Sequence, residues 1–135
     1  MQSISPEIIY MWNYAWEESL TQITKLTKSP LILGRGIHTS NLRNKIFLDL
    51  KNQNLKVNSA NLQFDCCFED ISRIKKIILK NNNDSVIAAG GGKVLDSGKF
   101  IAECLNIPCF TVPLSASTCA GWRHYQIFIQ KMANL

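Results

Sequence analysis

Short apolar runs alternate along the chain with longer segments that have apolar residues at helical spacing. The apolar runs predict four strands, at residues 30–33, 62–68, 86–89 and 109–112. The run at 86–89 is apolar at every position, which is typical of a parallel strand with both faces covered. We therefore expect this strand near the middle of a parallel sheet.

The segments between these runs have apolar residues every three or four positions, which predicts helices. These helices cover residues 40–53, 70–80 and 93–105. Regular alternation of strands and helices predicts an α/β fold, a Rossmann-like parallel sheet flanked by helices, with right-handed crossovers. Ligands of such sheets bind beyond the carboxyl ends of the strands. The loops expected at that edge are residues 34–36, 90–93 and 113–120.

The chain has 135 residues, which suits one domain and is short for two. We divide it into an N-terminal arm or lead-in helix (1–29), one α/β domain (30–122) and a divergent C-terminal tail (123–135). An apolar fraction of 46% with 19% charged residues predicts a globular protein. No apolar run could span a bilayer and the N-terminus lacks the pattern of a secretory signal, so we expect a cytoplasmic protein with no membrane partner.

The net charge of +5 raises the question of nucleic-acid binding. The densest basic cluster lies on a helix whose other face is rich in isoleucine, so we interpret it as a solvated helix face and expect no nucleic-acid partner. Its members are Arg73, Lys75, Lys76 and Lys80. The chain has five cysteines without a C-x-x-C pair and only two histidines, which favours reduced cysteines and no metal site.

The sharpest chemical signal is the turn Gly90-Gly91-Gly92-Lys93, which follows a strand and opens a helix. Glycines let the backbone come close to a ligand, and the amides and dipole at a helix start favour an anion such as pyrophosphate. Lys93 adds a positive charge. The alternative is a tight turn that needs glycine only for its conformation. The turn fits neither the Walker A pattern nor G-x-G-x-x-G.

Two neighbouring features are further candidates. The loop at 113–120 offers three hydroxyls, which suit either a helix N-cap or a second wall of the cleft. Asp96 lies early in the predicted helix, where a carboxylate suits the dipole but would repel a phosphate. If it faces the ligand, it should meet a sugar or an amide; the alternative is an ordinary surface charge near Lys99.

The string GGGKVLDSGKFIAECLNIPCFTVPLSASTCA at 90–120 resembles the glycerol dehydrogenase branch of the iron-containing alcohol dehydrogenase superfamily. That branch carries GGGK-x-LD-x-x-K, then a strand, then P-T-x-A-S-T. The resemblance implies that this chain binds NAD or NADP and implies a place for seven residues. The pyrophosphate would lie on Gly90, Gly91, Gly92 and Lys93, and the nicotinamide and its ribose near Asp96, Ser117 and Thr118.

This sequence departs from the family pattern in ways that bear on function. Leu114 replaces a threonine of the motif, and Cys119 stands where many glycerol-oxidising members have an aspartate. The family's helical domain, which binds zinc or iron, has no counterpart before the end of this chain. We therefore expect a truncated, catalytically incomplete product with no catalytic residue and no bound metal. We also expect self-association or a separate metal-domain chain as partner.

Arg35 bears on the choice between NAD and NADP. An acidic residue usually ends the family's first strand and binds the adenosine ribose, whereas residues 34–36 here read Gly-Arg-Gly. An arginine at this place accommodates a 2′-phosphate, which favours NADP; the alternative is a solvated loop residue. Three functions stay open at this point. The chain is the cofactor-binding domain of such an oxidoreductase, a non-enzymatic nucleotide-binding module acting with another chain, or an α/β fragment that binds nothing.

Overall fold

The computed structural model describes residues 8–10, 15–37, 39–63, 67–113 and 127–130. The strands in these ranges are β1 (Ile8–Tyr10), β2 (Pro30–Gly34), β3 (Asn58–Asn61), β4 (Ser85–Gly90), β5 (Cys109–Pro113) and β6 (Ile127–Gln130). The helices are α1 (Ala15–Leu26), α2 (Ser40–Asn52), α3 (Phe68–Asn81) and α4 (Gly92–Leu105). None of these helices is long and apolar enough to cross a membrane.

The strands form one sheet in the order β1-β6-β5-β4-β2-β3. β3, β2, β4 and β5 are parallel, with Leu33 of β2 opposite Ala88 of β4. β6 pairs antiparallel with β5, and β1 pairs antiparallel with β6. The Rossmann-like α/β fold is confirmed, but only four of the six described strands are parallel. The two antiparallel strands come from the ends of the chain: the outermost strand β1 from the predicted N-terminal arm, and β6 from the tail, where Ile127–Gln130 is rich in β-branched and aromatic residues that suit a strand.

The second predicted strand is wrong in position. β3 covers Asn58–Asn61, residues 62, 63 and 67 lie in no strand, and Phe68 begins α3 two residues before the expected start at 70; residues 64–66 lie outside the described ranges. β3 is an edge strand whose residues are exposed or half-buried, so it needs no apolar run. Leu62, which suggested the strand, is buried just after it and donates its amide to the carbonyl of Gly34 at 2.9 Å.

Helices cover both faces of the sheet, because successive strand side chains point to opposite faces. Ile32 packs with α1 and α2, whereas Leu31 and Leu33 pack with α3 and α4. β4 is buried at all six positions, which explains its continuous apolar sequence. On the face covered by α1 and α2, the helical side chains include Trp16, Ile23, Leu42, Ile46 and Leu50. On the face covered by α3 and α4, they include Ile71, Ile74, Ile78, Val94 and Ile101.

Residues from the predicted N-terminal arm are part of this core. Trp16 of α1 is 1% exposed, and its Nε1 donates to Oδ2 of Asp49 at 2.8 Å. The same carboxylate oxygen accepts a bond from Lys45 Nζ at 2.8 Å. α1 is thus fixed to α2 by both apolar packing and a hydrogen bond.

Gly98 brings α4 close to β4. A Cβ at this position would lie 2.6 Å from the Cβ of Ala88, a distance that real side chains do not reach. Because neither atom could rotate away, only glycine allows the helix to pack at this depth.

The strand order reverses between β2 and β4, and the space beyond the carboxyl ends of these two strands is called the crevice below. From β2 the chain crosses through α2 to β3 on one side, and from β4 it crosses through α4 to β5 on the other. α2 and α4 cover opposite faces of the sheet, so the loops after β2 and β4 diverge. Open α/β sheets bind their ligands at this kind of reversal in strand order.

Candidate functional site

The triple-glycine turn joins the buried end of β4 to the start of α4. Gly90 is the last residue of β4, and Gly91 precedes the helix in an extended conformation, with φ −80° and ψ −174°. A Cβ on Gly91 or Gly92 would meet no atom of the described residues within 4 Å. This part of the structure therefore leaves room over both positions for a ligand to approach the backbone.

The start of α4 favours a negatively charged ligand. The first amides of a helix have no partner within the helix. The N-cap residue of α4 is Gly91, which has no side chain that could accept a hydrogen bond from them. The first turn of α4 contains no acidic residue, whereas α3 begins with Glu69 and Asp70. Lys93, the second residue of α4, is exposed and adds a positive charge. This combination suits a phosphate or pyrophosphate group.

The loop after β2 forms the other wall of the crevice. Gly36 is exposed and has φ +71°, in the left-handed region that favours glycine. Arg35 beside it is half-buried. Arg43 of α2 holds this loop from behind: its Nη2 donates to the Gly36 carbonyl at 2.6 Å, and its Nη1 donates to the Arg35 carbonyl at 3.4 Å and to the Thr39 hydroxyl.

Arg43 is a buried cation, 8% exposed, whose acceptors are all neutral. Burial lowers the pKa of its guanidinium from the ordinary value. Within the described ranges no carboxylate forms an ion pair with it.

Arg73 of the basic cluster is held differently. Its Nη2 donates to Oδ1 of Asp70 at 2.8 Å and to the carbonyl of Asn61 at 2.6 Å, and Asp70 is 1% exposed. The other oxygen of Asp70 accepts the amide of Gln63 at 2.8 Å. The interpretation of the cluster as wholly solvated is therefore wrong for Arg73, which pairs with a buried carboxylate of its own helix and, through its bond to the Asn61 carbonyl, ties α3 to the end of β3.

Asp96 lies on the face of α4 that points away from the sheet. It is exposed, whereas Val94 and Ser97 on either side of it are buried. Its side chain borders a groove of about 420 Å³ between α3 and α4, together with Phe68 and Phe100, which are 82% and 54% exposed. A contact between Asp96 and the sugar or amide of a cofactor stays a prediction.

The third candidate loop lies largely outside the described residues. Ser117 and Thr118 fall there, as do Leu114 and Cys119. Its first residue, Pro113, is the end of β5 and is paired with Gly90 of β4. The loop therefore starts beside the triple-glycine turn.

The described residues do not fit a metal centre, so we assign no step to a metal. No three His, Cys, Asp or Glu side chains among them lie together as a ligand set, and His38 and His124 fall outside the described ranges. Cys109 is buried in β5, and this burial raises the pKa of its thiol to about 12 despite the nearby charge of Lys99. A thiol in this state is not a nucleophile at neutral pH.

A comparison with protein families identifies the family of this chain. The family model for iron-containing alcohol dehydrogenase matches residues 6–134. The chain belongs to the iron-containing alcohol dehydrogenase family. The resemblance drawn from the motif at 90–120 is thereby confirmed, and the match extends well beyond the motif.

Curated relatives carry the names of several dehydrogenases. The chain is 35% identical over 101 residues to a glycerol-1-phosphate dehydrogenase (NAD(P)+) of Nitrosopumilus maritimus, covering 74% of this chain and 28% of the relative. It is 26% identical over 118 residues to glycerol dehydrogenase 1 of Schizosaccharomyces pombe, covering 87% of this chain and 26% of the relative. The chain thus spans about a quarter of the length of these relatives.

Solved structures show the same fold. A glycerol dehydrogenase from Schizosaccharomyces pombe superposes with a TM-score of 0.67 at 20% identity, over 84% of this chain and 31% of that one. A probable glycerol dehydrogenase from Sinorhizobium meliloti gives 0.67 at 19% identity, over 84% and 30%. At these identities the likeness establishes the fold alone.

The structure places the predicted site residues in different parts of the sheet edge. Arg35 and the turn at 90–93 follow the neighbouring parallel strands β2 and β4, whereas Asp96 borders the α3–α4 groove. Sequence reasoning missed Arg43, because a charged residue on a predicted helix gives no sign that it turns back to hold the preceding loop. The only signal was the glycine at position 34, which leaves room for it.

Proposed function

We propose that this chain is the dinucleotide-binding part of an oxidoreductase of the iron-containing alcohol dehydrogenase family, and that it binds NAD or NADP across the crevice between β2 and β4. The observation that carries this proposal is the triple-glycine turn. It combines open space over Gly91 and Gly92, an N-cap with no side-chain cap and an exposed lysine at a reversal in strand order.

The chemistry of the turn supports a position for the pyrophosphate. Amides at the start of α4 donate hydrogen bonds to its oxygens, and the helix dipole and Lys93 balance its charge. Gly91 and Gly92 let the phosphate approach the main chain without meeting a side chain.

The adenosine end of the cofactor then lies toward the loop after β2. This loop carries Arg35 and no carboxylate from position 34 to 39. Asp49, the nearest acidic residue along α2, is occupied by Trp16 and Lys45. A guanidinium suits a 2′-phosphate, and a carboxylate suits a 2′-hydroxyl. We therefore propose a preference for NADP, with Arg35 in contact with the 2′-phosphate.

The nicotinamide end is proposed to lie toward the loop that begins after Pro113, with Ser117 and Thr118 near the ring and its ribose. The pairing of Pro113 with Gly90 supports this direction, since it starts the loop beside the pyrophosphate turn. Asp96 is proposed to reach the ribose from the far side of α4.

The 135-residue chain on its own is proposed to bind cofactor without oxidising an alcohol. In metal-dependent alcohol oxidation, a metal ion polarises the alcohol oxygen so that hydride can leave. The sequence holds only two histidines, and the described residues bring no ligand set together. Chelator-sensitive turnover of glycerol or another alcohol by homogeneous protein with added zinc or iron would contradict this part of the proposal.

Calorimetric titration of the full chain with NADPH and with NADH tests the proposed function. We expect saturable binding of both cofactors, with NADPH bound more tightly. Arg35→Ala should reduce NADPH affinity by roughly tenfold or more, the cost of a lost charge-assisted contact, and should change NADH affinity little. If the chain binds neither cofactor, the proposed function is wrong. Equal affinities in the parent would remove the NADP preference alone.

A further inference from the structure

Arg43 is a buried cation, 8% exposed, with no carboxylate paired to it within the described ranges. A buried cation is costly unless a partner anion or hydrogen bonds replace its hydration. The partly buried cations Lys45 and Arg73 each have a carboxylate at 2.8 Å. Among the described residues, Arg43 donates only to the carbonyls of Arg35 and Gly36 and to the hydroxyl of Thr39.

The end of β2 is shaped to receive this guanidinium. A Cβ on Gly34 would overlap Cδ, Nε and Cζ of the Arg43 side chain. The arginine side chain therefore occupies the space that a side chain at the end of β2 would take. Dinucleotide folds commonly place a carboxylate near such a strand end to accept the adenosine 2′-hydroxyl, whereas this protein places a cation there.

The hydrogen bonds of Arg43 also determine how the loop meets a ligand. They direct the carbonyl oxygens of Arg35 and Gly36 toward the guanidinium, so these partial negative charges are turned away from an approaching phosphate. The same bonds fix the backbone that carries the Arg35 side chain.

We propose that Arg43 is the positioning residue that makes the crevice prefer a 2′-phosphorylated adenine dinucleotide. It acts by holding Arg35, Gly36 and Thr39 and by placing behind them a positive charge that no described carboxylate pairs with. This proposal rests on the proposed function, since it concerns the adenosine end of the same site. An anion bound at the loop would supply a countercharge to the buried guanidinium.

The test compares four variants of the full chain by calorimetry. Arg43→Met removes the charge and the donors, and Arg43→Lys keeps the charge but cannot form the same fork of bonds. Gly34→Ala keeps Arg43 but forces its side chain out of place. Lys51→Met is the matched control, because it removes one exposed positive charge from the far end of the same helix.

Each variant is titrated with NADPH, NADH, adenosine 2′,5′-bisphosphate and adenosine 5′-phosphate. We expect the preference for the 2′-phosphorylated member of each pair to fall about tenfold or more in Arg43→Met and in Gly34→Ala. Arg43→Lys should retain part of the preference, and Lys51→Met should retain it fully. If Arg43→Met does not fold, Gly34→Ala decides the question.

A purely structural role predicts a different result. Arg43→Met and Gly34→Ala would then lower the melting temperature or weaken all four ligands equally, with the preference unchanged, and this outcome would overturn the proposal. Failure of the proposed function would give a different result, namely a parent protein that binds neither NADPH nor NADH.

Discussion

Replacement of Gly91 by valine should separate cofactor binding from folding. The backbone at this position has φ −80°, which any residue can adopt, and a Cβ would meet no atom of the described part of the chain within 4 Å. The substitution therefore adds no clash. The remaining cost is the poorer N-cap preference of valine, up to about 1 kcal/mol. For a domain of this size that corresponds to a fall of about 4 °C in melting temperature.

The effect on binding should be much larger. The valine methyl groups extend into the space where the pyrophosphate approaches the start of α4, and they hold it away from the amides. A hydrogen bond to a charged group contributes about 1.5–3 kcal/mol, and 1.4 kcal/mol is a factor of ten in affinity. Loss of two such bonds lowers the affinity for NADPH or NADH by roughly 100-fold or more.

Calorimetry of the parent and Gly91→Val with NADPH, beside thermal unfolding of both proteins, measures the two effects separately. Competition by inorganic pyrophosphate should weaken in the variant in the same proportion, because the substituted position meets this part of the cofactor. Equal affinity for NADPH in the folded variant and the parent would refute the assignment of the turn.

The other predictions concern packing, reactivity and association. Gly98→Ala should show the opposite behaviour to Gly91→Val. Overpacking costs about 1–3 kcal/mol and exceeds a helix-propensity gain of about 1 kcal/mol, so the melting temperature falls while the folded fraction binds cofactor normally. A more stable variant would contradict the close packing. Cys109 should resist iodoacetamide in the native protein while the exposed Cys104 reacts, as read by mass spectrometry, and equal labelling would contradict its burial. Since its thiol ionises near pH 9.0 when unfolded and only at about 12 when folded, Cys109 should lower stability by about 1 kcal/mol per pH unit above pH 9, an effect that Cys109→Val removes. The exposed rings of Phe68 and Phe100 should promote association at high salt, where the charge of +5 is screened, and replacing both by serine should reduce it; a monomeric parent by light scattering, without binding of a hydrophobic dye, would count against this.

The elements best predicted from the sequence are those whose burial dictates their composition. β4 is buried on both faces and is apolar throughout, and α4 shows its buried face as a helical repeat, so both were placed within a few residues. β3 was misplaced because an edge strand needs only backbone pairing, and the polar residues of Asn58–Asn61 carry no alternating signal. The antiparallel partners β1 and β6 were missed because their pairing is set by contacts distant in sequence.

The candidate site shows the same division. The turn at 90–93 was found because its chemistry is local: three glycines and a lysine at a strand-to-helix junction. The role of Arg43 was not found, because it depends on a side chain crossing the bare backbone of Gly34 to reach carbonyls seven and eight residues back. Likewise, the helical period alone did not show that Asp96 borders the α3–α4 groove.

Amide chemical shifts of the isotope-labelled chain during titration with NADPH test the central claim most directly. The account predicts saturable shifts of the amides of Gly91, Gly92 and Lys93 at the start of α4, together with those of Arg35 and Gly36 across the crevice. Shifts confined to the α3–α4 groove, or unmoved amides at the triple-glycine turn when NADPH is saturating, would contradict it.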